Sequence, residues 1–283
     1  MSITEIDIRM KEQYEDRFRI MLPRRSYTII RVDGRAFHTW TRGMDKPYSI
    51  RLMEAMDAVA LELCENMAGA QLAYVQSDEI SVLLTDFAKI DTHAWFDNNL
   101  QKLCSISASI ATAKFNSLWT DLGKSLAHFD SRVFQIPDPI EVANYFVARQ
   151  KDAVRNSVAM LAQGHFSPKQ LHGKSVPDMH QMLVNVEDNW AKHPVRFKHG
   201  AAIVKEMTAP YMKQTKVGEV EIPERMEWVI AEPPIFTSDR EWLRKQIPMH
   251  GGIVLDTREP SATRSPNGEV SNGRKIEDPR IQR

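Results

Sequence analysis

Three acids stand where short strand-like runs end. Residues 27–32 are aromatic and β-branched, which predicts a buried strand, and Asp33-Gly34 stops it with a strong turn signal. Asp78 and Glu79 fall between two further runs, 72–76 and 80–84, at the tip of an expected hairpin. Hard oxygen ligands at adjacent strand ends suit Mg²⁺, and Gly34 permits close approach of a backbone carbonyl as a further donor. Two such ions roughly 3.5–4 Å apart align an attacking oxygen with a nucleotide phosphate and stabilise the leaving group. The plainer reading stands beside it: Asp-Gly after a strand is ordinarily turn chemistry, and Asp-Glu at a hairpin tip is ordinarily solvated. On spacing alone the two readings balance.

Cations gather near these acids in the expected fold: Arg31, Arg35, Lys46, Lys102 and Arg132. Singly each reads as a solubilising surface residue; around an acidic rim they suit a triphosphate, whose charge Mg²⁺ alone does not neutralise. Two phosphate-loop look-alikes fail. Gly-Lys-Ser occurs at 123–125 and at 173–175, but Leu118 and Pro168 stand where the upstream glycine belongs, so the backbone cradle is absent. The nine histidines, His172, His180, His193 and His199 among them, lack cysteine partners or zinc spacing and read as surface or hydrogen-bonding residues. No serine-centred nucleophile elbow occurs, and the methionines fall on apolar helix faces as core filler.

The elements that must position these residues follow in order. Residues 5–20 alternate charge around Ile6, Ile8, Met10, Tyr14 and Phe18, which predicts a surface helix laid on the domain and ended by Pro23. Ser49 is an N-cap for a helix with apolar face Leu52, Met53, Met56, Val59, Ala60, Leu63 and Met67, closed by Gly69. After the hairpin, a long helix is expected over 92–119 and a strand over 128–136. Strand, helix, strand, strand, helix, strand is the βαββαβ order of ferredoxin-like sheets, in which the first strand lies beside the third and brings Asp33 to the 78–79 tip. The prediction is an α+β sheet with helices on one face and an acidic site at its rim. Beyond Pro137 helices are expected over 140–163, from 167–168, and over 178–190. Strands over 197–205 and 227–230 would form a smaller region with a long polar loop between them. The expected organisation is a catalytic domain at 1–137, a helical completing region at 138–255 and a disordered tail at 256–283.

Composition bounds the partners. Lys plus Arg and Asp plus Glu are each 37, so no global basic field advertises nucleic acid, and any such partner needs a local patch. Cys64 and Cys104 sit in helical apolar patterns, which favours free thiols over a disulfide. Residues 1–18 have no apolar core of a signal peptide and no run reaches membrane-spanning length; the expectation is a cytoplasmic protein without a membrane partner.

The motifs together resemble a known family. Arg31-Val32-Asp33-Gly34-Arg35-Ala36-Phe37-His38, Lys46-Pro47, Gln76-Ser77-Asp78-Glu79, Phe129-Asp130-Ser131-Arg132-Val133 and Arg149-Gln150-Lys151-Asp152 match, in order and spacing, the tRNA(His) guanylyltransferases and their 3′-to-5′ polymerase relatives. The likeness runs over residues 25–205. It implies a polymerase-palm catalytic domain that adds nucleotides to the 5′ end of tRNA, working as a homotetramer. It further implies that Asp33, the Gly34 carbonyl and Asp78 hold two Mg²⁺ ions with Glu79 in support. Lys46, Ser77 and Lys102 would serve 5′ activation by a nucleoside triphosphate, ATP or GTP. Arg31, Arg35, Ala36, Phe37 and His38 would belong to the nucleotide pocket, and Arg132, Arg149, Asn156 and Lys198 would contact triphosphate or tRNA. Two departures bear on substrate. The eukaryotic enzymes carry His-Ile-Asn-Asn where this chain has Val154-Arg155-Asn156-Ser157, and an arginine where it has Asn99. That points away from non-templated G addition to tRNA(His) and toward template-dependent repair of 5′-truncated tRNAs.

Two other classes compete. A non-catalytic tRNA-binding protein would have no use for three clustered acids, which repel RNA without metal. A palm-type nucleotidyl cyclase would share the acids but gives no reason for the Arg149–Asp152 motif.

Overall fold

The computed structural model describes residues 4–120, 123–215 and 218–250. The chain opens with α1 (Glu5–Met10), a π-helical turn and a 3₁₀ turn ending at Phe18, none of which buries a residue. Ile6, Tyr14 and Phe18 are exposed, so this segment does not lie on the domain as its spacing predicts. It is tied in only at its end, where the Leu100 amide donates to the Ile20 carbonyl and Met21 bridges Asn99.

Strand β1 (Tyr27–Gly34) leads through α2 (Phe37–Trp40) to α3 (Ile50–Asn66), capped by the Ser49 hydroxyl. The hairpin of β2 (Ala70–Gln76) and β3 (Glu79–Leu84) follows, then α4 (Leu100–Leu118) and β4 (Phe129–Ile136). Helix α4 starts later than the 92–119 pattern predicts. Phe96, Asp97 and Asn98 have φ of 48°, 52° and 60°, a left-handed break that a helix cannot cross, and the Asn99 side chain caps the new start on the Lys102 amide.

The second half contains α5 (Pro139–His165), α6 (Pro168–Leu171), α7 (Val176–Asn185) and α8 (Val195–His199). Then come β5 (Ala201–Thr208), β6 (Tyr211–Thr215), β7 (Gly218–Ile222), β8 (Arg225–Ala231) and α9 (Arg240–Gln246). Several expectations are corrected here. The predicted 197–205 strand begins as helix and turns to strand at Gly200. That residue has φ of 78°, and a Cβ there would lie 2.4 Å from the Val75 carbonyl. The expected polar loop contains the β6–β7 hairpin. The late strands form no separate region: the main sheet has six strands in the order β4-β1-β3-β2-β5-β8, with every neighbouring pair antiparallel. The predicted tail at 256–283 lies outside the described residues.

Helices cover both faces of this sheet rather than one. Ile30 and Val32 of β1 share a core with Met56, Leu63, Leu103 and Phe115 of α3 and α4. The alternate residues Tyr27 and Ile29 share another with Val142 and Phe146 of α5 and Leu243 of α9. Because successive strand residues point to opposite faces, a strand covered on both sides carries apolar residues on each, as Ile29 and Ile30 do here. A third cluster joins Val158 and Leu161 of α5 to Leu183 and Phe197.

Candidate active site

Strand pairing brings the acids together. Asp33 sits opposite Glu79 on β3 and opposite Asp130 on β4, and the Gly34 amide donates to the Asp78 carbonyl at 3.1 Å. Ser77 and Asp78 form the two-residue turn between β2 and β3, with Ser77 at φ 48°. Burial above all, with Glu79 and Asp130 adding repulsion, raises the Asp33 carboxyl above its usual range against the pull of Arg132 and Arg31. Burial first and the charge of Asp33 second push Asp78 up to about 6. Gly34 is fixed by packing: a Cβ there would meet the Phe37 ring at 2.4 Å.

These acids open onto a cavity of about 540 Å³. Asp33, Gly34, Ala36, Phe37, His38, Lys46, Ser77 and Asp78 all line it, joined by Tyr48 and Met160. Ala36 and Ser77 both hold positive φ, 55° and 48°, so two strained non-glycine residues flank the acids. Such strain costs about 1–2 kcal/mol each and persists where the surrounding structure imposes it.

The remaining expected residues lie outside that cavity. Glu79 is held by cations: Arg149 Nη1 lies 3.3 Å from Oε2 and Arg31 Nε 4.0 Å, while Gln76 Nε2 donates to Oε1 at 3.2 Å. Arg149 also pairs with Asp152, so the motif's charges form one network beneath the acids. Gln150 between them is a staple: its amide donates to the Pro234 carbonyl and accepts from the Phe236 amide. Arg132 stands 3.8 Å from Asp33 and 3.7 Å from Asp130. Arg35 donates its backbone amide to the His128 carbonyl. Lys102, in the first turn of α4, lies over the Phe96 ring, and Lys198 Nζ donates to the Ala191 carbonyl. Asn156 lines an adjoining smaller pocket.

The two Gly-Lys-Ser runs have other work. Lys124 Nζ bonds the Trp40 and Arg42 carbonyls at the end of α2, and Ser175 caps α7 in a reciprocal box with Asp178. His165 and His193 share the Asp188 carboxylate, and both cysteines are free. One pair escaped the sequence reading: Asp57 of α3 and Arg196 of α8 form a largely buried salt bridge at 2.7 Å. The available signal was an acid interrupting the apolar face of the 50–66 helix.

The donor set fits a divalent cation in part. Two carboxylates pressed together with raised pKa gain from a cation between them, and the Gly34 carbonyl is of the same hard-oxygen class. Glu79 is already occupied by arginine, and among the described residues no group of three His, Cys, Asp or Glu is arranged to hold a metal. Asp33 and Asp78 are therefore the carboxylates available to a metal. Among the described residues no helix is long and apolar enough to cross a membrane.

Comparison with known proteins adds an independent line. Residues 8–137 match the family model described as tRNAHis guanylyltransferase. A bacterial tRNA(His) guanylyltransferase (Thg1)-like protein solved in complex with ATP is 42% identical and superposes with a TM-score of 0.77, covering 86% of this chain and 99% of its own. A bacterial structure of the same description in complex with GTP is 41% identical, with a TM-score of 0.73, over 87% of this chain and 100% of its own. The tRNA(His) guanylyltransferase of Schizosaccharomyces pombe is 28% identical over 212 residues, 69% of this chain and 78% of that protein.

Proposed function

The chain belongs to the tRNA(His) guanylyltransferase family of nucleotidyltransferases, and we propose that it adds nucleotides in the 3′-to-5′ direction to the 5′ end of tRNA, directed by the opposing base. The observation that carries this reading is the cavity in which Asp33 and Asp78 meet Lys46, Ser77, Phe37 and His38.

In this reading the sheet edge acts as a polymerase-type palm. Asp33 and Asp78, with the Gly34 carbonyl, hold two Mg²⁺ ions, which supply charge neutralisation on phosphate and activation of the attacking hydroxyl when bound. Lys46 and Ser77 contact the triphosphate of ATP or GTP used to activate a 5′-monophosphate, and Phe37 and His38 flank the base. The chemistry is two phosphoryl transfers. In the first, the RNA 5′-phosphate attacks the activating nucleotide and releases pyrophosphate. In the second, the 3′-hydroxyl of an incoming nucleotide attacks the activated 5′ end and expels the nucleoside monophosphate. Glu79 does not bind substrate; with Arg31 and Arg149 it fixes the floor on which Asp33 stands. Arg132 offsets charge on Asp33 in the free site and would turn to the triphosphate or tRNA phosphate when substrate is bound. Residues 1–137 supply the reacting groups, with Lys102 serving 5′ activation beside Lys46 and Ser77, and the region after 137 completes the site and contacts tRNA through Asn156 and Lys198. The working unit is a cytoplasmic homotetramer.

The test is nucleotide addition to 5′-monophosphorylated tRNA lacking its first nucleotide, with Mg²⁺, ATP and each NTP in turn, beside Asp78→Ala. Restoration of the Watson-Crick-matched nucleotide alone, abolished by the substitution, is the expected result. Addition of G against any opposing base would instead establish the tRNA(His)-type activity, and tRNA binding without addition would establish the non-catalytic reading.

A further inference from the structure

The cavity lining falls into two parts that are held in different ways. Asp33, Gly34, Ser77 and Asp78 are set by strand pairing, with Asp33 opposite Glu79 in the β1–β3 ladder and the Gly34 amide on the Asp78 carbonyl. Ala36, Phe37, His38, Thr41, Met44 and Lys46 all come from one stretch that lies outside the sheet. Its helix, α2, is a single turn entered through Ala36 at φ 55°. One turn fixes several dihedral angles for very few hydrogen bonds, so it keeps its shape only where something else holds it.

The holding comes from the segment that precedes β4. Lys124 Nζ donates to the Trp40 carbonyl at 2.6 Å and to the Arg42 carbonyl at 3.1 Å, and lies 5.0 Å from the centre of the Trp40 ring. The Trp40 indole N–H donates back to the Ser125 carbonyl at 2.8 Å. Ahead of α2, the Arg35 amide donates to the His128 carbonyl at 2.8 Å. The segment is itself anchored, because the Asn116 side chain of α4 bonds both the amide and the carbonyl of Ala127 at 2.9 Å. Residues 124–128 thus grip α2 before its start and at its end. Among these ties the ammonium of Lys124 makes the charge-assisted ones, which are the strong class. Trp40 in turn stacks on Phe37 with ring centroids 5.1 Å apart, so a shift of Trp40 passes to Phe37 and to His38 beside it.

We propose that Lys124 is a positioning residue for nucleotide binding: its cation pins the carbonyl end of α2 and so sets Phe37, His38 and the loop that runs on to Lys46. The proposal rests on the nucleotidyl transfer above, which makes this cavity a nucleotide site. It gives the Gly-Lys-Ser run at 123–125 a task that is not that of a phosphate loop, since its lysine serves the nucleotide through α2 and not by contact. Strand pairing holds the acids whether or not the clasp is closed. Loss of the clasp therefore removes binding that substrate and transition state share, which moves KM and spares kcat.

The test compares wild type, Lys124→Met and Lys124→Arg in the full chain by two readouts. One is the kcat and KM of nucleotide addition to 5′-monophosphorylated tRNA lacking its first nucleotide. The other is calorimetric titration of the RNA-free protein with ATP and Mg²⁺, where there is no RNA to receive a transfer. Lys124→Met is expected to raise the nucleotide KM and weaken ATP binding by about tenfold each, with kcat within about twofold of wild type. Lys124→Arg keeps a charged donor for both carbonyls and is expected to restore both values. Unchanged KM and affinity in Lys124→Met would overturn the proposal whatever its melting temperature does, as would a loss that falls on kcat or that Lys124→Arg does not recover. If Lys124→Met does not fold, Trp40→Phe removes the return bond to Ser125 while keeping an aromatic ring, and is expected to move KM in the same direction. Normal addition by wild type with no effect of Lys124→Met rejects the clasp alone. Lys124-dependent ATP binding without any addition rejects the transfer reading alone.

Discussion

At the residue scale the acids are held in a state that a metal-free protein tolerates poorly. Asp78 carries a carboxyl raised from its ordinary 3.8 to about 6, mainly by burial and by Asp33. A folded pKa above the unfolded one contributes stability that is complete below about pH 4 and lost as pH rises through about 6. Asp78→Asn is therefore expected to stabilise the metal-free protein at pH 7 by up to about 3 kcal/mol, at roughly 1.4 kcal/mol per unit of pKa. The two proteins should melt alike near pH 3.5. Adding Mg²⁺ at pH 7 should raise the melting temperature of wild type only; a variant no more stable than wild type at pH 7 would show that Asp78 carries no such burden. The opposite holds for Arg149, whose guanidinium lies between Glu79 and Asp152. Arg149→Met removes the cation shared by two partly buried carboxylates, leaving Glu79 to Arg31 and Gln76 and Asp152 to Arg155, and is expected to cost about 1–3 kcal/mol in urea denaturation. That Asp33 and the 78–79 tip meet was legible in sequence, because only one strand pairing is needed to bring them together. What sequence did not reveal is that Glu79 and Arg149 hold each other. Their contact joins β3 to α5, and periodicity shows that a helix has an apolar face without showing which sheet face it covers.

At the element scale, boundaries that depend on local chemistry were readable and those imposed from a distance were not. Ser49 caps α3 where the sequence places it, whereas α7 runs Val176–Asn185 from its Ser175 cap and not over the expected 178–190. The start of α4 was misread because apolar spacing continues through Phe96–Asn98, where the backbone turns left-handed. Asn99 ends that break, and its side chain bonds the Lys102 amide at 3.1 Å. Asn99→Ala is expected to lower stability by about 1 kcal/mol, read by chemical denaturation. Asn99→Arg, which restores the residue of the eukaryotic branch, should lose the same cap, so its effect on nucleotide addition has to be measured against the alanine variant.

At the scale of the whole molecule, helix on both faces turns a six-stranded sheet into a slab whose acidic site opens at one end. Residues 4–19 stand apart from it, with none buried. A chain shortened to begin at Ile20 is expected to keep its melting temperature within about 2 °C, since exposed segments away from the core contribute little. A larger fall would mean that the segment is covered in solution, and light scattering on both chains would show whether assembly is what covers it. The order of the sheet also sets a timetable for synthesis. Strands β1, β2 and β3, and with them both acids, leave the ribosome long before β5. Pairing of Tyr74 with Ala202 must wait for the last third of the chain. Until then β2 presents an open hydrogen-bonding edge of apolar residues, the kind of edge that pairs with whatever strand it meets. A stalled or clipped product ending before Val195 would thus carry the acids, lack both α8 and β5, and be the species most prone to aggregate in the cell.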